Sequence, residues 1–319
     1  MKSVTVILCT YNRCDRLAKA LASAAVQTMP ADAAWEVLVV DNNSRDETRE
    51  VVERFRLQYP GRFRYLFEPT PGKSHALNSG IQQARGDLLA FLDDDAIAAP
   101  DWLASLTRSL QLGKANGAGG RILPDRAIDP PPWLSLASPY AKGPLVTFDC
   151  GAEPGVLNTS PFGTNMAFTK EMFQIYGGFR TELGAQPGSD NRQRQGRPHA
   201  GEDSEFGERL LHAGERLWYE PSAIVYHEVR QDRLRREYFE HWWFDKGRAD
   251  AYIAGDAGPR TLKICGVPLR LLRRFGMWSL RWWFALDEAQ RFENKLATCN
   301  LSGQIVERYR QSRQNCAAL

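Results

Sequence analysis

Three aspartates in succession, Asp93, Asp94 and Asp95, follow directly on the apolar run Leu88-Leu89-Ala90-Phe91-Leu92. Carboxylates at the end of a buried strand repel one another and lose solvation, so they need a cation or hydrogen-bond donors to neutralise them. A hard divalent cation bound through oxygen, with positions left open for phosphates, meets that need. The competing reading is a solvated acidic turn that caps a helix beginning near Pro100. Two further apolar runs end in polar clusters. Val37 to Val40 leads into Asp41-Asn42-Asn43-Ser44, which can accept from a base imide or a ribose hydroxyl, although Ser44 or Asp46 also suits a helix N-cap. Ser3 to Cys9 leads into Thr10-Tyr11-Asn12-Arg13, an aromatic face for a base beside a guanidinium for phosphate or ribose.

Three more segments carry chemistry. Gly72-Lys73 opens a helix that continues through Asn78 to Gly80, and a helix N-terminus beside a lysine suits an anion. The glycine spacing is neither that of a Walker loop nor that of a dinucleotide fingerprint. Glu202-Asp203 stands where a polar segment gives way to a helix. One carboxylate there can take a proton from an attacking hydroxyl, while a charged first helical turn is the plainer explanation. His227 closes a short strand-like run, Ala223 to Val225, and a lone histidine is more often packed or solvated than a ligand.

The elements that must position these residues alternate. Strand-like Ser3–Cys9, Trp35–Val40, Phe63–Phe67 and Asp87–Leu92 are interleaved with helical spacing over Arg16–Gln27, Glu47–Leu57 and Ser74–Arg85. This succession predicts an α/β fold with a mostly parallel central sheet flanked by helices, whose ligands sit beyond the carboxyl ends of the strands. The three polar clusters then converge on one rim. From Arg121 to Pro161 the chain is rich in proline and glycine and reads as loops and short edge strands. The polar stretch Gln186 to Ala200, with Arg192, Arg194 and Arg197, reads as a mobile loop, either a lid or a solvated insertion. Beyond Glu228 the pattern is helical and aromatic. The expected organisation is 1–120 and 121–228 for two halves of the α/β part and 229–319 for a C-terminal helical region.

At 319 residues, 43% hydrophobic and 25% charged, the composition is that of an ordinary folded protein. A formal charge of +3 excludes nucleic acid as the main partner. Six cysteines, with no CxxC pair or zinc-finger spacing, read as reduced thiols. No run reaches the length needed to span a bilayer, so the expectation is a cytoplasmic protein. The stretch Arg260 to Arg281 interleaves Arg260, Lys263, Arg270, Arg273, Arg274 and Arg281 with Leu269, Leu272, Phe275 and Leu280, followed by Trp283 and Phe284. It reads either as an interfacial segment on anionic lipid, on the cytoplasmic face of an inner membrane, or as helices packed on the catalytic domain.

Taken together, the motifs resemble the inverting family 2 glycosyltransferases of bacterial type, which have the GT-A fold. The resemblance runs from Val4 to about His227. It is carried by the clusters at Thr10 and Asp41, the segments Gly72–Gly80 and Ala84–Asp87, the three aspartates, Gly163-Thr164-Asn165, Gly177-Gly178-Phe179 and Gly201-Glu202-Asp203. It implies transfer of a sugar from a nucleotide diphosphate donor, UDP by default, to a hydroxyl of a glycan or lipid-linked acceptor. Thr10, Tyr11, Asn12, Arg13, Asp41, Asn43, Lys73, Asn78, Asp93 and Asp94 would line the donor nucleotide. Asp95, with His227 and Asp93, would hold Mg2+ or Mn2+. Thr164, Asn165 and Glu202 would face the sugar or acceptor, and Asp203 would be the catalytic base, making 1–120 the nucleotide-sugar-binding half and 121–228 the acceptor-binding half with the base. A sugar-nucleotide nucleotidyltransferase and a non-catalytic nucleotide-sugar binder are the alternatives. The first lacks its glycine-rich signature and leaves Glu202-Asp203 idle, and the second leaves Asp93, Asp95 and Asp203 without purpose.

Overall fold

The first strand of the chain, Val4–Thr10, is apolar on both faces because both are covered. A computed structural model of the chain describes residues 1–185, 201–255 and 262–317. The segment Gln186 to Ala200, read above as a mobile loop, and Arg260 lie outside the described residues. In chain order the N-terminal elements are β1 (Val4–Thr10), α1 (Cys14–Ala25), β2 (Trp35–Asp41), α2 (Thr48–Gln58), β3 (Phe63–Phe67), α3 (Lys73–Gln83) and β4 (Leu88–Leu92). They are followed by β5 (Ala96–Ala98), α4 (Trp102–Gln111), β6 (Gly117–Pro124), α5 (Pro139–Leu145), β7 (Gly155–Leu157), β8 (Asn165–Thr169), α6 (Lys170–Tyr176), α7 (Glu202–His212) and β9 (Leu217–His227). The C-terminal region holds α8 (Arg236–Ile253), the short strands β10 (Lys263–Ile264) and β11 (Val267–Pro268), α9 (Leu269–Phe284) and α10 (Glu288–Ala317).

The chain divides into two units. One holds residues 1–126 and 202–228 with the segment that begins at Val146, and the other holds 127–145 and the chain from Val229. The first contains the main sheet, in the order β3-β2-β1-β4-β8-β6-β9-β5 with β7 against β9. Strands β3, β2, β1 and β4 are mutually parallel, as the alternating pattern predicts. Beyond them β8 runs antiparallel to both β4 and β6, and β6 is parallel to β9. Because β6 crosses residue 120, the expected 1–120 and 121–228 halves share this one sheet.

Period-two alternation sends side chains to opposite faces of the sheet. Val4, Val6 and Leu8 of β1, with Val37 and Val39 of β2, join Leu17 and Leu21 of α1 and Trp102, Leu103 and Leu106 of α4 in one core. Ile7, Leu38 and Val40 join Leu77 of α3, Phe173 of α6 and Phe206 of α7 in the other. The result is a sheet between two helical layers.

Strand β6 is where the sequence misleads. The proline- and glycine-rich stretch from Arg121 is expected to form loops and short edge strands, yet β6 runs into it inside the sheet, and its Gly-Ala-Gly-Gly start is there because its neighbours approach too closely for side chains. A Cβ on Gly120 would stand 2.2 Å from the Ala223 carbonyl oxygen and 2.5 Å from Asn165 Nδ2. Here the β6–β9 register jumps from Gly120↔Glu220 to Arg121↔Ile224, leaving a bulge in β9 around Pro221. Asn165, wholly buried, fills it. Its Nδ2 donates to the carbonyls of Arg121 at 2.9 Å and Ala223 at 2.8 Å, and its Oδ1 accepts from Trp102 Nε1 at 2.8 Å.

Asn165→Leu would orphan two buried carbonyls and an indole N–H, at a cost of about 2–4 kcal/mol. Urea unfolding should show a lower midpoint at unchanged slope; a loss below about 0.5 kcal/mol would contradict the clasp.

Candidate active site

The ends of β1, β2 and β4 meet on one rim, and the turns that follow are stitched together. Asn12 and Asn43 adopt left-handed conformations with φ of 50° and 70°, which asparagine tolerates better than most residues. Asn12 N–H donates to Ser44 Oγ at 2.9 Å, and Asn12 Oδ1 accepts from Arg45 N–H at 2.7 Å. Asp41, buried, accepts from Ser44 N–H and from the Tyr65 hydroxyl, both at 2.8 Å. Tyr11 is partly exposed between these clusters.

The three aspartates after β4 turn to different partners. Asp94 is buried, accepting from Thr10 Oγ1 at 2.8 Å and Arg13 Nη1 at 2.9 Å. Burial pushes its carboxyl up to about 6 against the opposing pull of Arg13. Burial would lower the Arg13 guanidinium, but Asp94 and Asp95 outweigh that and hold it above its ordinary value. Asp93 accepts from Thr164 Oγ1 and lies 3.0 Å from Lys73 Nζ.

Lys73 also reaches Glu202, at 3.5 Å. Burial disfavours its ammonium, yet Asp93, Glu202 and Asp203 together hold it well above its usual value. Burial raises Glu202 in turn; Lys73 opposes that rise and Asp203 adds to it. The loop that delivers Lys73 is fastened by Asn42, whose Nδ2 donates to the carbonyls of Glu68 and Thr70 and whose Oδ1 accepts from Gly72 N–H.

Asp95 faces His227. Oδ1 and Nε2 are 3.4 Å apart, and Arg13 Nη1 is 3.4 Å from Oδ2. His227 is 2% exposed, and its Nδ1 has no hydrogen-bond partner among the described residues. Two ligands at about 2.1 Å from one ion stand roughly 3 Å apart, so this carboxylate–imidazole pair fits a divalent cation. Asp93 is turned away to Lys73 and Thr164, and among the described residues no three His, Cys, Asp or Glu side chains form a ready cage. Any ion here would draw its remaining ligands from elsewhere, as an open site for phosphates requires.

Asp203 lies in the first turn of α7. Its Oδ2 accepts from Gly163 N–H and its Oδ1 from Ser204 N–H, both at 2.7 Å. Ser160 Oγ donates to the Asp203 carbonyl at 3.0 Å. The helix is seated by Phe206, stacked on Phe173 with centroids 4.5 Å apart. Gly207 lets Ser160 approach, since a Cβ there would lie 2.0 Å from Ser160 Oγ.

Two expected site residues are consumed by the scaffold, which corrects their expected roles. Asn78 exchanges hydrogen bonds with the Phe179 backbone, Nδ2 to O and N–H to Oδ1, both at 2.8 Å, and so anchors α3 rather than a nucleotide. Asn165 clasps the β9 bulge inside the sheet rather than facing an acceptor. Sequence reasoning gave no place to Tyr65, Ser160 or the latch role of Asn42. Only Asn42, beside Asp41 at a strand end, carried a local signal.

The sequence pattern described as Glycosyl transferase family 2 matches residues 5–175. The chain belongs to this family. It is a glycosyltransferase, as the resemblance implied. The succinoglycan biosynthesis protein ExoM of Rhizobium meliloti (strain 1021) is 28% identical over 257 residues, spanning 79% of this chain and 75% of that protein. The glucosyl-dolichyl phosphate glucuronosyltransferase of Haloferax volcanii is 26% identical over 247 residues, 75% of this chain and 74% of that protein. Among solved structures, the mannosyltransferase PcManGT from Pyrobaculum calidifontis, in complex with GDP-Man and Mn2+, has a TM-score of 0.55 at 19% identity, covering 99% of this chain and 75% of that one. S. aureus TarS 1-349 has a TM-score of 0.56 at 15% identity, covering 98% of this chain and 92% of that one. The fold is the GT-A fold.

The Asp94 carboxyl lies above its ordinary value of 3.8, so the folded state holds its proton more tightly than the unfolded chain. That contribution is complete below about pH 4 and is lost as the pH rises toward about 6. In EDTA, the stability of the wild type relative to Asp94→Asn should therefore fall by up to about 3 kcal/mol from pH 3.5 to 7. A difference that is flat, or rises, across that range would contradict the burial of an ionisable Asp94.

Proposed function

We propose that the chain is an inverting, metal-dependent glycosyltransferase that moves a sugar from a nucleoside diphosphate donor, UDP in the first instance, to a hydroxyl of a glycan or lipid-linked acceptor. One observation carries the reading: Lys73 bridges Asp93, at the end of a donor-side strand, and Glu202, the neighbour of Asp203. Donor recognition and proton removal thereby sit on one continuous charged surface.

Asp203 has the role of base. Its two oxygens are held by the main-chain N–H groups of Gly163 and Ser204, which orient the carboxylate and leave it lone pairs for an acceptor hydroxyl. The acceptor oxygen loses its proton to Asp203 and bonds to the anomeric carbon as the bond to the diphosphate breaks. Attack from the face opposite the leaving group inverts the configuration. Glu202, buried and paired with Lys73, positions the acceptor side, together with Thr164.

On the donor side, Tyr11 offers a stacking face and Asp41 its remaining lone pairs to the base. The half-exposed Arg13 guanidinium is free on one side to meet a phosphate. Asp95 and His227 would hold Mg2+ or Mn2+, while Asp93, the third expected ligand, is taken up by Lys73 and Thr164. When bound, the ion offsets charge on the departing diphosphate as a Lewis acid.

The neighbouring structures support such a donor: PcManGT is described with GDP-Man and Mn2+, and TarS 1-349 with UDP. The relatives named for succinoglycan biosynthesis and for a glucosyl-dolichyl phosphate acceptor support glycan or lipid-linked acceptors. A nucleotidyltransferase would leave the constrained Asp203 without a role.

Asp203→Asn should leave donor affinity nearly intact and lower transfer by about 10²- to 10⁴-fold. Equal losses in binding and turnover would sink the base assignment. Asp95→Ala, or EDTA with the wild type, should abolish metal-dependent donor binding in calorimetry, and undiminished Mn2+-dependent binding would reject that ligand. In a thermal-shift screen of UDP- and GDP-sugars with Mn2+, a donor at a hundredfold its Kd should add about 2.7 kcal/mol of stability.

A further inference from the structure

Helix α9 is two-faced in a way the packing of the C-terminal unit does not require. Leu271, Leu272, Phe275 and Trp278 pack with Val267, Leu301 and Ile305, so one face is satisfied by α10 and β11. At about 100° per residue, the side chains opposite that face are Met277, Leu280 and Phe284, with Trp283 on the flank. All are exposed: Leu280 at 61%, Trp283 at 76% and Phe284 at 77%, with Leu286 in the following turn at 97%. Single exposed apolar residues are ordinary, but a stripe that repeats along one helix marks a contact surface.

The charges beside the stripe say what it contacts. Helix α9 carries Arg270, Arg273, Arg274 and Arg281 and no acidic residue. Leu286 also borders a groove of about 480 Å3 whose lining includes Trp282, Arg236, Arg291 and Lys295. Arg236 is paired there with Glu288, and Lys295 with Glu240 at 2.5 Å, while Arg291 donates to the Ala285 carbonyl. Asp287 and Glu288, at the start of α10, are the acids nearest the stripe in sequence. A two-fold contact with a second copy would set arginine against arginine, which is unfavourable. An anionic lipid surface meets both features at once, taking Trp283 and Phe284 at its headgroup boundary and the arginines against its phosphates.

From this juxtaposition we infer that the outer face of α9, from Arg270 to Leu286, is a docking surface for an anionic phospholipid bilayer. The inference goes beyond the transfer reaction and does not depend on it, since its readout needs no donor or acceptor.

Flotation of the full chain with vesicles tests it, using phosphatidylcholine alone and an equal mixture with phosphatidylglycerol. The chain should float with the mixture, stay behind with phosphatidylcholine, and release as salt rises. The double variant Arg273→Gln/Arg274→Gln should weaken partitioning by about fivefold per arginine, and Trp283→Glu/Phe284→Glu should abolish it. Far-UV circular dichroism of these surface variants should match the wild type, and Leu280→Gln substitutes for any that does not. Equal binding to both vesicles would overturn the inference, as would variants that float like the wild type. A wild-type dimer that Trp283→Glu converts to monomer would assign the stripe to a second copy instead.

Discussion

Three adjacent carboxylates at the tip of β4 can coexist in a largely buried position only because each is turned toward a different positive or hydrogen-bond-donating group. Asp94 goes inward to Thr10 and Arg13, Asp93 sideways to Lys73 and Thr164, and Asp95 to His227. The partners arrive from β1, α3, the approach to β8 and the end of β9, so neutralising this one point draws on elements from across the sheet. Arg13 and Lys73 each serve two acids, which couples the aspartates to one another and, through Lys73, to Glu202. A change at any of these positions leaves a buried charge short of a partner, the costliest kind of electrostatic defect.

The aspartate at the start of α7 is held by different means. Its carboxylate meets main-chain N–H groups, that of Ser204 in its own helix and that of Gly163 just before β8. The helix is held by the rings of Phe168, Phe173 and Phe179 around Phe206, three residues further on. Aromatic packing is stiff and directional, so a carboxylate on a polar surface borrows its rigidity from an apolar core. A site residue supported in this way is far better placed than one carried on a loop.

Much of this arrangement could be read in the sequence, and the parts that could not share a cause. The apolar runs of β1, β2 and β4 and the helical spacing between them declare a parallel sheet, and the polar clusters at their ends declare the rim. Strand β6 was hidden because its glycines are there to admit Phe168, Pro161 and Ala223, none of them near in sequence. Asn78 and Asn165 looked like ligand contacts because an amide at the right spacing suits a ligand and a backbone clasp equally well. Only the fold reveals that Phe179 and the β9 bulge take them up. Tyr65 gave no signal either, because its hydroxyl acts across the β2–β3 pairing on Asp41. In α9 the sequence left two readings open; the structure satisfies one apolar face and leaves the other bare.

Strands β5 and β9 are direct neighbours, with Ala96 opposite His227. Asp95, in the turn just before β5, comes opposite Glu228, whose N–H donates to the Asp95 carbonyl at 3.4 Å, and so stands one register step from His227. The main-chain spacing of adjacent strands, just under 5 Å, brings the two chain ends together, and the turn before β5 presents the Asp95 carboxylate to the imidazole at 3.4 Å. Most side chains in those two strands can drift over evolutionary time without altering that gap. The pair behaves as a caliper whose jaws are set by the frame, and for any ion held there, selection would fall to the remaining ligands.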